Sequence, residues 1–121
     1  MIQVRRVYEA PTKDDGFRVL VDRLWPRGLK KEEAAVDLWL RDVAPSSELR
    51  QWFHHDPSKW REFCRRYAKE LEGKEDVLKF LRSKSRGGKV TLVFGARDEE
   101  FNNAVALRNI IAAHRGRRGS A

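Results

Sequence analysis

The sequence predicts a small three-layer α/β domain, with a mainly parallel sheet of about four strands and helices on both faces. Three observations carry that expectation. Val90–Phe94 is an unbroken β-branched or apolar run closed by Gly88 and Gly95, too short for a buried helix. Phe17–Asp22 is apolar at four of its six positions, as a strand buried on both faces would be. Between these two runs lie segments whose apolar residues recur at helical spacing.

The first element, Ile2 to Tyr8, alternates imperfectly, with Ile2, Val4 and Arg6 set against Gln3, Arg5 and Val7, and reads as a strand. Pro11 to Gly16 is turn chemistry leading into the second strand. The eight residues from Glu9 to Gly16 are fewer than the dozen or so a parallel crossover usually needs, which leaves a hairpin of strands one and two as an alternative. Pro26, which cannot donate to a ladder, and Gly28, which permits a left-handed turn, end the second strand. A loop or short helical turn follows.

Helical signals dominate the middle. Ser46 or Ser47 can cap a helix carrying Leu49, Trp52 and Phe53 on one side, with Glu48 in its first turn. Asp56 followed by Pro57 is a stronger start, and Trp60, Phe63, Cys64, Tyr67 and Leu71 then form one stripe that ends at Gly73. Val77, Leu78 and Leu81 continue in a further helix to about Lys84, and Gly87 and Gly88 mark the turn into the central strand. After the loop of residues 96–100, a last helix carries Phe101, Ala104, Val105, Arg108, Ile111 and Ala112 on one side. The terminal residues 116–121, with Arg117 and Arg118, read as a flexible basic tail behind a single domain of residues 1–115.

Composition sets the outer bounds. The 121 residues carry 26 Lys and Arg against 18 Asp and Glu, a net charge of +8 with a pI near 10.1. A hydrophobic share of 40% with 4 Trp and 6 Phe excludes a disordered chain. No apolar run approaches membrane-spanning length and no signal-peptide core opens the chain, so a cytoplasmic protein without membrane contact is expected. Cys64 stands alone, which excludes an intramolecular disulfide and a cysteine zinc site, and no metal site is expected. Phosphate loops of the GxxxxGK[ST] and GxGxxG types are absent, and nothing in the pattern names a cofactor.

The chemistry-bearing residues gather at two strand ends. Asp22, Arg23 and Arg27 follow the second strand, while Arg97 and Asp98 follow the last one and precede Asn102 and Asn103. In a parallel sheet both loops leave the same edge, where ligands bind and helix N-termini aim their N–H groups. Guanidinium forks suit phosphate or carboxylate, and a carboxylate among them can orient a ligand or act as a base. The expected site therefore has Arg23, Arg27 and Arg97 neutralising a small anionic ligand and Asp22 in the catalytic position, with Asp98, Asn102 and Asn103 completing the contacts. A hydrolase-like enzyme acting on a phosphorylated or anionic small molecule is the corresponding function. The blander reading pairs Asp22 with an arginine as a structural ion pair and lets Trp25 cover the core.

Other candidates read as structural. His54 and His55 lie in a turn beside the capping Asp56, with one of them reaching the cleft as the lesser alternative, and His114 suits a helix C-terminus. Cys64 belongs to an apolar stripe and reads as an inert thiol. A nucleic-acid-binding or regulatory protein is the competing class. Residues 46–53 and 57–72 are spaced like a helix-turn-helix, and Arg61, Arg65, Arg66 and Lys69 can face outward, though Glu62, Glu70 and Glu72 dilute the patch. Net charge alone favours non-specific attraction to nucleic-acid phosphates.

VDRLWPRG at 21–28, WLRDVAPSSELRQWF at 39–53, the F-x3-Y-x3-L helix at 63–71 and TLVFGARD at 91–98 followed by NNA resemble the YeaO-like branch of a prokaryotic domain-of-unknown-function family. The likeness covers residues 2 to about 115. It implies a compact cytoplasmic α/β domain and no established activity. The wider family has an Asp-x-Arg element at an early strand end and a Cys-His-Arg element opening the last helix. The first maps loosely onto Asp22 and Arg23, whereas Asn102 and Asn103 stand near the places of the Cys and His. The resemblance thus implies a shared cleft and parallel first strands, without the wider family's thiol.

Overall fold

The computed structural model describes the backbone of residues 1–120 and the side chains of residues 1–113. The side chains of the tail expected at 116–121, and that of His114, lie outside the described residues. Strands β1 (Ile2–Arg6), β2 (Phe17–Leu20), β3 (Leu38–Trp39) and β4 (Val90–Phe94) form one sheet in the order β1-β4-β2-β3, parallel throughout. Five helices accompany it: α1 (Lys31–Ala34), α2 (Ser47–Phe53), α3 (Trp60–Leu71), α4 (Glu75–Gly87) and α5 (Asn103–Ser120).

β4 is central, as its composition requires: every residue is buried and both edges are hydrogen-bonded. Ile2 and Phe17 both face Val90 in register, so β1 and β2 flank β4 and run the same way. That removes the hairpin alternative. The connection suffices because the ten residues 7–16 can span about 33 Å when extended, more than the length of one short strand plus two strand spacings. β3 is a two-residue strand inside the stretch read as loop or helical turn. Its polar and charged surroundings, with Asp37 and Arg41 on either side, hide it from a periodicity search.

The sheet separates two apolar clusters of unequal size. Val19, Val21, Val90, Leu92 and Phe94 pack with residues of α2 through α5, among them Phe53, Phe63, Tyr67, Leu81 and Leu107. Val7, Leu20 and Val93 form a thinner second cluster with Ala34 of α1, covered by Trp25, Leu29, Val36 and Trp39. The indole N–H of Trp25 donates to the Leu29 carbonyl and that of Trp39 to the Asp22 carbonyl, both at 2.8 Å, and the two rings meet edge to face at 5.4 Å. One strand face is therefore roofed by full-length helices and the other by a single helical turn and a loop.

Caps foreseen in the sequence are made. Ser46 Oγ accepts from the Leu49 N–H at 3.1 Å, and the Asp56 carboxylate accepts from the Ser58 N–H at 3.0 Å at the head of the helical turn preceding α3. α3 carries Phe63, Tyr67 and Leu71 into the core, and a 3-10 turn at Glu72–Lys74 carries the chain past Gly73 directly into α4, which runs to Gly87 rather than Lys84. On α5, Ala104, Val105 and Ile111 are buried as expected, while Ala112 is exposed and Ala106 and Leu107 take its place in the core.

The amino-terminal edge of the sheet is closed by its own polar groups. Arg18 and Asp15, both buried, form an ion pair at 2.6 Å, and the remaining Arg18 N–H groups donate to the Ala34 and Ala35 carbonyls at 2.9 and 3.0 Å. Burial works against the Asp15 charge, yet hydrogen bonds from Thr12 and Arg18 hold its carboxyl below the usual carboxylate range. Gly16, with φ of 64°, passes against the Lys89 backbone so closely that a Cβ would collide with its carbonyl. The opposite, carboxyl edge is open, with a cavity beside Asp22 and Asn103.

Candidate functional site

At that open edge, the chain leaves β2 at Asp22 and β4 at Gly95, and α5 begins beside both. Asp22 Oδ2 accepts from the Gly95 N–H at 2.8 Å. Its Oδ1 accepts from the Asn103 side-chain amide at 3.0 Å, and the same amide donates to the Val21 carbonyl at 3.0 Å. Only glycine fits at 95 without adjustment, because a Cβ there would stand 3.2 Å from Asp22 Oδ2. Three elements far apart in the sequence thus meet on one carboxylate. Burial pushes the Asp22 carboxyl above the ordinary value of 3.8, and this outweighs the Asn103 and Gly95 hydrogen bonds and the attraction of Arg50.

Asp22 lines a cavity of about 390 Å³. Its polar side includes Arg23, Arg50, Gln51, His54, His55, Asn102 and Asn103, and its apolar side includes Phe53, Phe63, Phe101 and Leu24. The aromatic wall is a packed unit: Phe53 stacks on Phe63 at 4.5 Å, and Trp60 behind them meets Phe101 edge to face at 5.3 Å. Below it the buried Tyr67 hydroxyl donates to the Val43 carbonyl at 2.5 Å, and its pKa is driven up by burial, then by the nearby Glu70 and Asp22 charges.

Of the residues expected at the site, Asp22, Arg23, Asn102 and Asn103 come together on this cavity. Arg27, Arg97 and Asp98 do not line it. Arg27 and Arg97 are exposed, and Arg27 contributes its carbonyl to the Tyr8 hydroxyl at 2.8 Å. Asp98 serves the backbone: its Oδ1 accepts from the Phe101 and Glu100 N–H groups at 3.0 and 2.9 Å, which holds its carboxyl below the usual range. Asn102 touches the cavity while also tying down the start of α5. Its Oδ1 caps α5 through the Val105 N–H at 2.9 Å, and its amide donates to the Asp98 carbonyl at 2.9 Å. Arg23 donates to the Pro45 carbonyl at 3.4 Å, and its Nε is buried without a hydrogen-bond partner among the described residues.

Arg50 was not placed at the site by sequence reasoning, and the histidines, read first as structural with one of them reaching the cleft as the lesser alternative, both line it. They arrive on α2, which Glu70 fastens from α3 by accepting from the Ser46 N–H at 2.9 Å and the Ser46 hydroxyl at 2.5 Å. Arg50 and His54 stand four residues apart, one helical turn, and that spacing is the signal that could have linked them. His54 ends α2 in a left-handed conformation with φ of 46°, its N–H donating to the Arg50 carbonyl at 3.0 Å, and His55 follows with φ of 55°. Two successive non-glycine residues in that region store strain of about 1 kcal/mol each. The turn they make brings both residues to the cavity lining.

Cys64 lies on α3, half-buried and outside the cavity lining, and burial pushes its thiol up. Among the described residues, no group of three or more His, Cys, Asp or Glu is placed to hold a metal ion. No helix among the described residues is long and apolar enough to cross a membrane. Two outward arginines of α3 are engaged: Glu62 accepts from Arg65 at 2.8 and 2.6 Å and from Arg66 at 2.8 Å, and the pairing with Arg65 and then Arg66 pulls its carboxyl down to about 2.

Comparison with known proteins adds a family. Uncharacterized proteins of Mycobacterium tuberculosis and Mycobacterium bovis are each 43% identical over 110 residues, covering 91% of this chain and 92% of the relative. The uncharacterized protein YeaO of Escherichia coli strain K12 is 40% identical over 106 residues, covering 88% of this chain and 92% of YeaO. No solved structure matches the chain. The family whose profile matches residues 1–120 is described as the inactive DUF488-N3 subclade, and the chain belongs to it.

Proposed function

We propose that this protein binds a small organic anion in the cavity at the carboxyl edge of its sheet. The observation that carries the reading is the convergence of Arg23 and Arg50 on the same cavity as Asp22 and Asn103. Two guanidinium groups against one carboxylate leave the cavity positive, and a fork of N–H donors suits a planar or tetrahedral oxyanion. Asp22 then acts as a fixed acceptor that orients the ligand. Its two oxygens already hold Gly95 and Asn103, which favours positioning over proton abstraction.

Binding is favoured over the hydrolase-like reading. The description of the family as an inactive subclade supports that preference. The nucleic-acid alternative is less favoured, because Glu62 engages Arg65 and Arg66 and the apolar face of that helix belongs to the core.

Thermal unfolding in rising sodium acetate, at constant ionic strength, tests the proposal. A ligand that binds only the folded form raises the midpoint. Acetate is expected to stabilise the wild type and to leave Arg50→Ala unmoved. An equal response in both proteins, or none in either, would contradict the assignment.

A further inference from the structure

The cavity is more apolar than capture of a simple oxyanion requires, and this bears on the class of ligand. Phe101, partly buried, and Leu24, with 66% of its surface exposed, offer the open apolar area of its lining, and behind them Phe53 and Phe63 are already buried. A lone phosphate or acetate would satisfy the arginines and leave these surfaces facing water, with no gain from their burial. A flat ring laid against them would remove apolar area on both partners and add offset or edge-to-face contacts. A volume of about 390 Å³ falls within the range of small-molecule sites.

Charge and hydrogen bonding narrow the class further. With the histidines counted neutral and Asp22 ionised, Arg23 and Arg50 leave one unit of positive charge, which a monoanion balances and a dianion exceeds. Asp22 accepts one recorded hydrogen bond on each oxygen, whereas a carboxylate has about four lone-pair sites. A ligand donor can therefore approach the same group.

Resting on the anion-binding reading above, we infer that the ligand is an aromatic monoanion that also carries a hydroxyl or amino donor. Its charged group meets Arg23 and Arg50, its ring lies against Phe101 and Leu24, and its donor faces Asp22.

Calorimetric titration with four probes tests the inference: acetate, benzoate, 3-hydroxybenzoate and phenol, each against the wild type and Arg50→Ala. Benzoate is expected to bind at least about tenfold more tightly than acetate, and 3-hydroxybenzoate more tightly than benzoate. Arg50→Ala, a change at an exposed helix position, is expected to weaken both benzoates while leaving the fold intact by circular dichroism. Equal affinities for acetate and benzoate would overturn the aromatic class and leave anion binding standing. Equal affinities for benzoate and 3-hydroxybenzoate would overturn the donor requirement. Phenol binding as tightly as benzoate, with Arg50→Ala without effect, or no binding of any probe, would overturn the anion reading itself.

Discussion

The Asn103 side-chain amide spends both of its N–H groups on one turn, donating to Asp22 Oδ1 at 3.0 Å and to the Val21 carbonyl at 3.0 Å, and so joins the start of α5 to the end of β2 across 81 positions of sequence. This pair holds the floor of the cavity. Asn103→Ala removes two hydrogen bonds to groups that stay inside the protein and is expected to cost about 1–3 kcal/mol in urea unfolding. In a double-mutant cycle with Asp22→Ala the two effects should fall short of additive by at least about 0.5 kcal/mol. Strict additivity would mean that the pair is not coupled.

Asp22 also gives a pH signature. Its folded pKa is raised by burial, so the folded state holds its proton to higher pH than the unfolded chain does. Its contribution is fully present below about 3.8 and is lost as pH rises through the folded value, with a limiting slope of about 1.4 kcal/mol per pH unit. The other shifted acids, Asp15, Asp56, Asp98 and Glu62, have lowered values and act in the opposite direction. The informative quantity is therefore the difference between wild type and Asp22→Asn, measured by denaturant unfolding from pH 3 upward. Wild type is expected to lose ground relative to the variant as pH rises. A difference that grows with pH would show that the hydrogen bonds of Gly95 and Asn103 outweigh burial.

Gly16→Ala tests the closed edge. The substitution meets both a left-handed backbone and the Lys89 carbonyl, against which no flexible side chain can give way. A loss of about 2–4 kcal/mol is expected. Gly73→Ala, with open space around its Cβ position, is the matched control and should change stability by less than about 1 kcal/mol.

The strained turn at the rim predicts an opposite sign. His54→Gly and His55→Gly each place glycine where φ is 46° and 55°, and each is expected to stabilise the fold by about 0.5–1 kcal/mol. Thermal unfolding of the single variants checks this. Destabilisation by either would mean that its ring contributes more than its backbone costs.

The fold was legible where composition and burial agree. Val90–Phe94 has no polar residue except Thr91, whose hydroxyl donates to the Asp15 carbonyl at 2.6 Å, and it reads as a central strand for the same reason that it is one. Leu38–Trp39 was not legible, because two residues carry no period and their pairing to Val19 and Leu20 is set by tertiary context. The site divides in the same way. Asp22 and Asn103 follow from strand ends in a parallel sheet. Arg50 reaches the cavity through the packing of α2 on α3, which Ser46 and Glu70 fix across 24 residues, and no local pattern encodes that distance. Asp98 and Asn102 look like ligand-binding groups in the sequence because turn and cap residues are the same short polar types, and the bonds they make to Phe101 and Val105 show which job they hold.

A crystal structure of the protein grown with benzoate tests the central claim most directly. The carboxylate is expected within about 2.7–3.2 Å of a guanidinium nitrogen of Arg23 or Arg50, with the ring against Phe101 or Leu24. Benzoate seated elsewhere on the basic surface, with the cavity beside Asp22 holding none of it, would contradict the account.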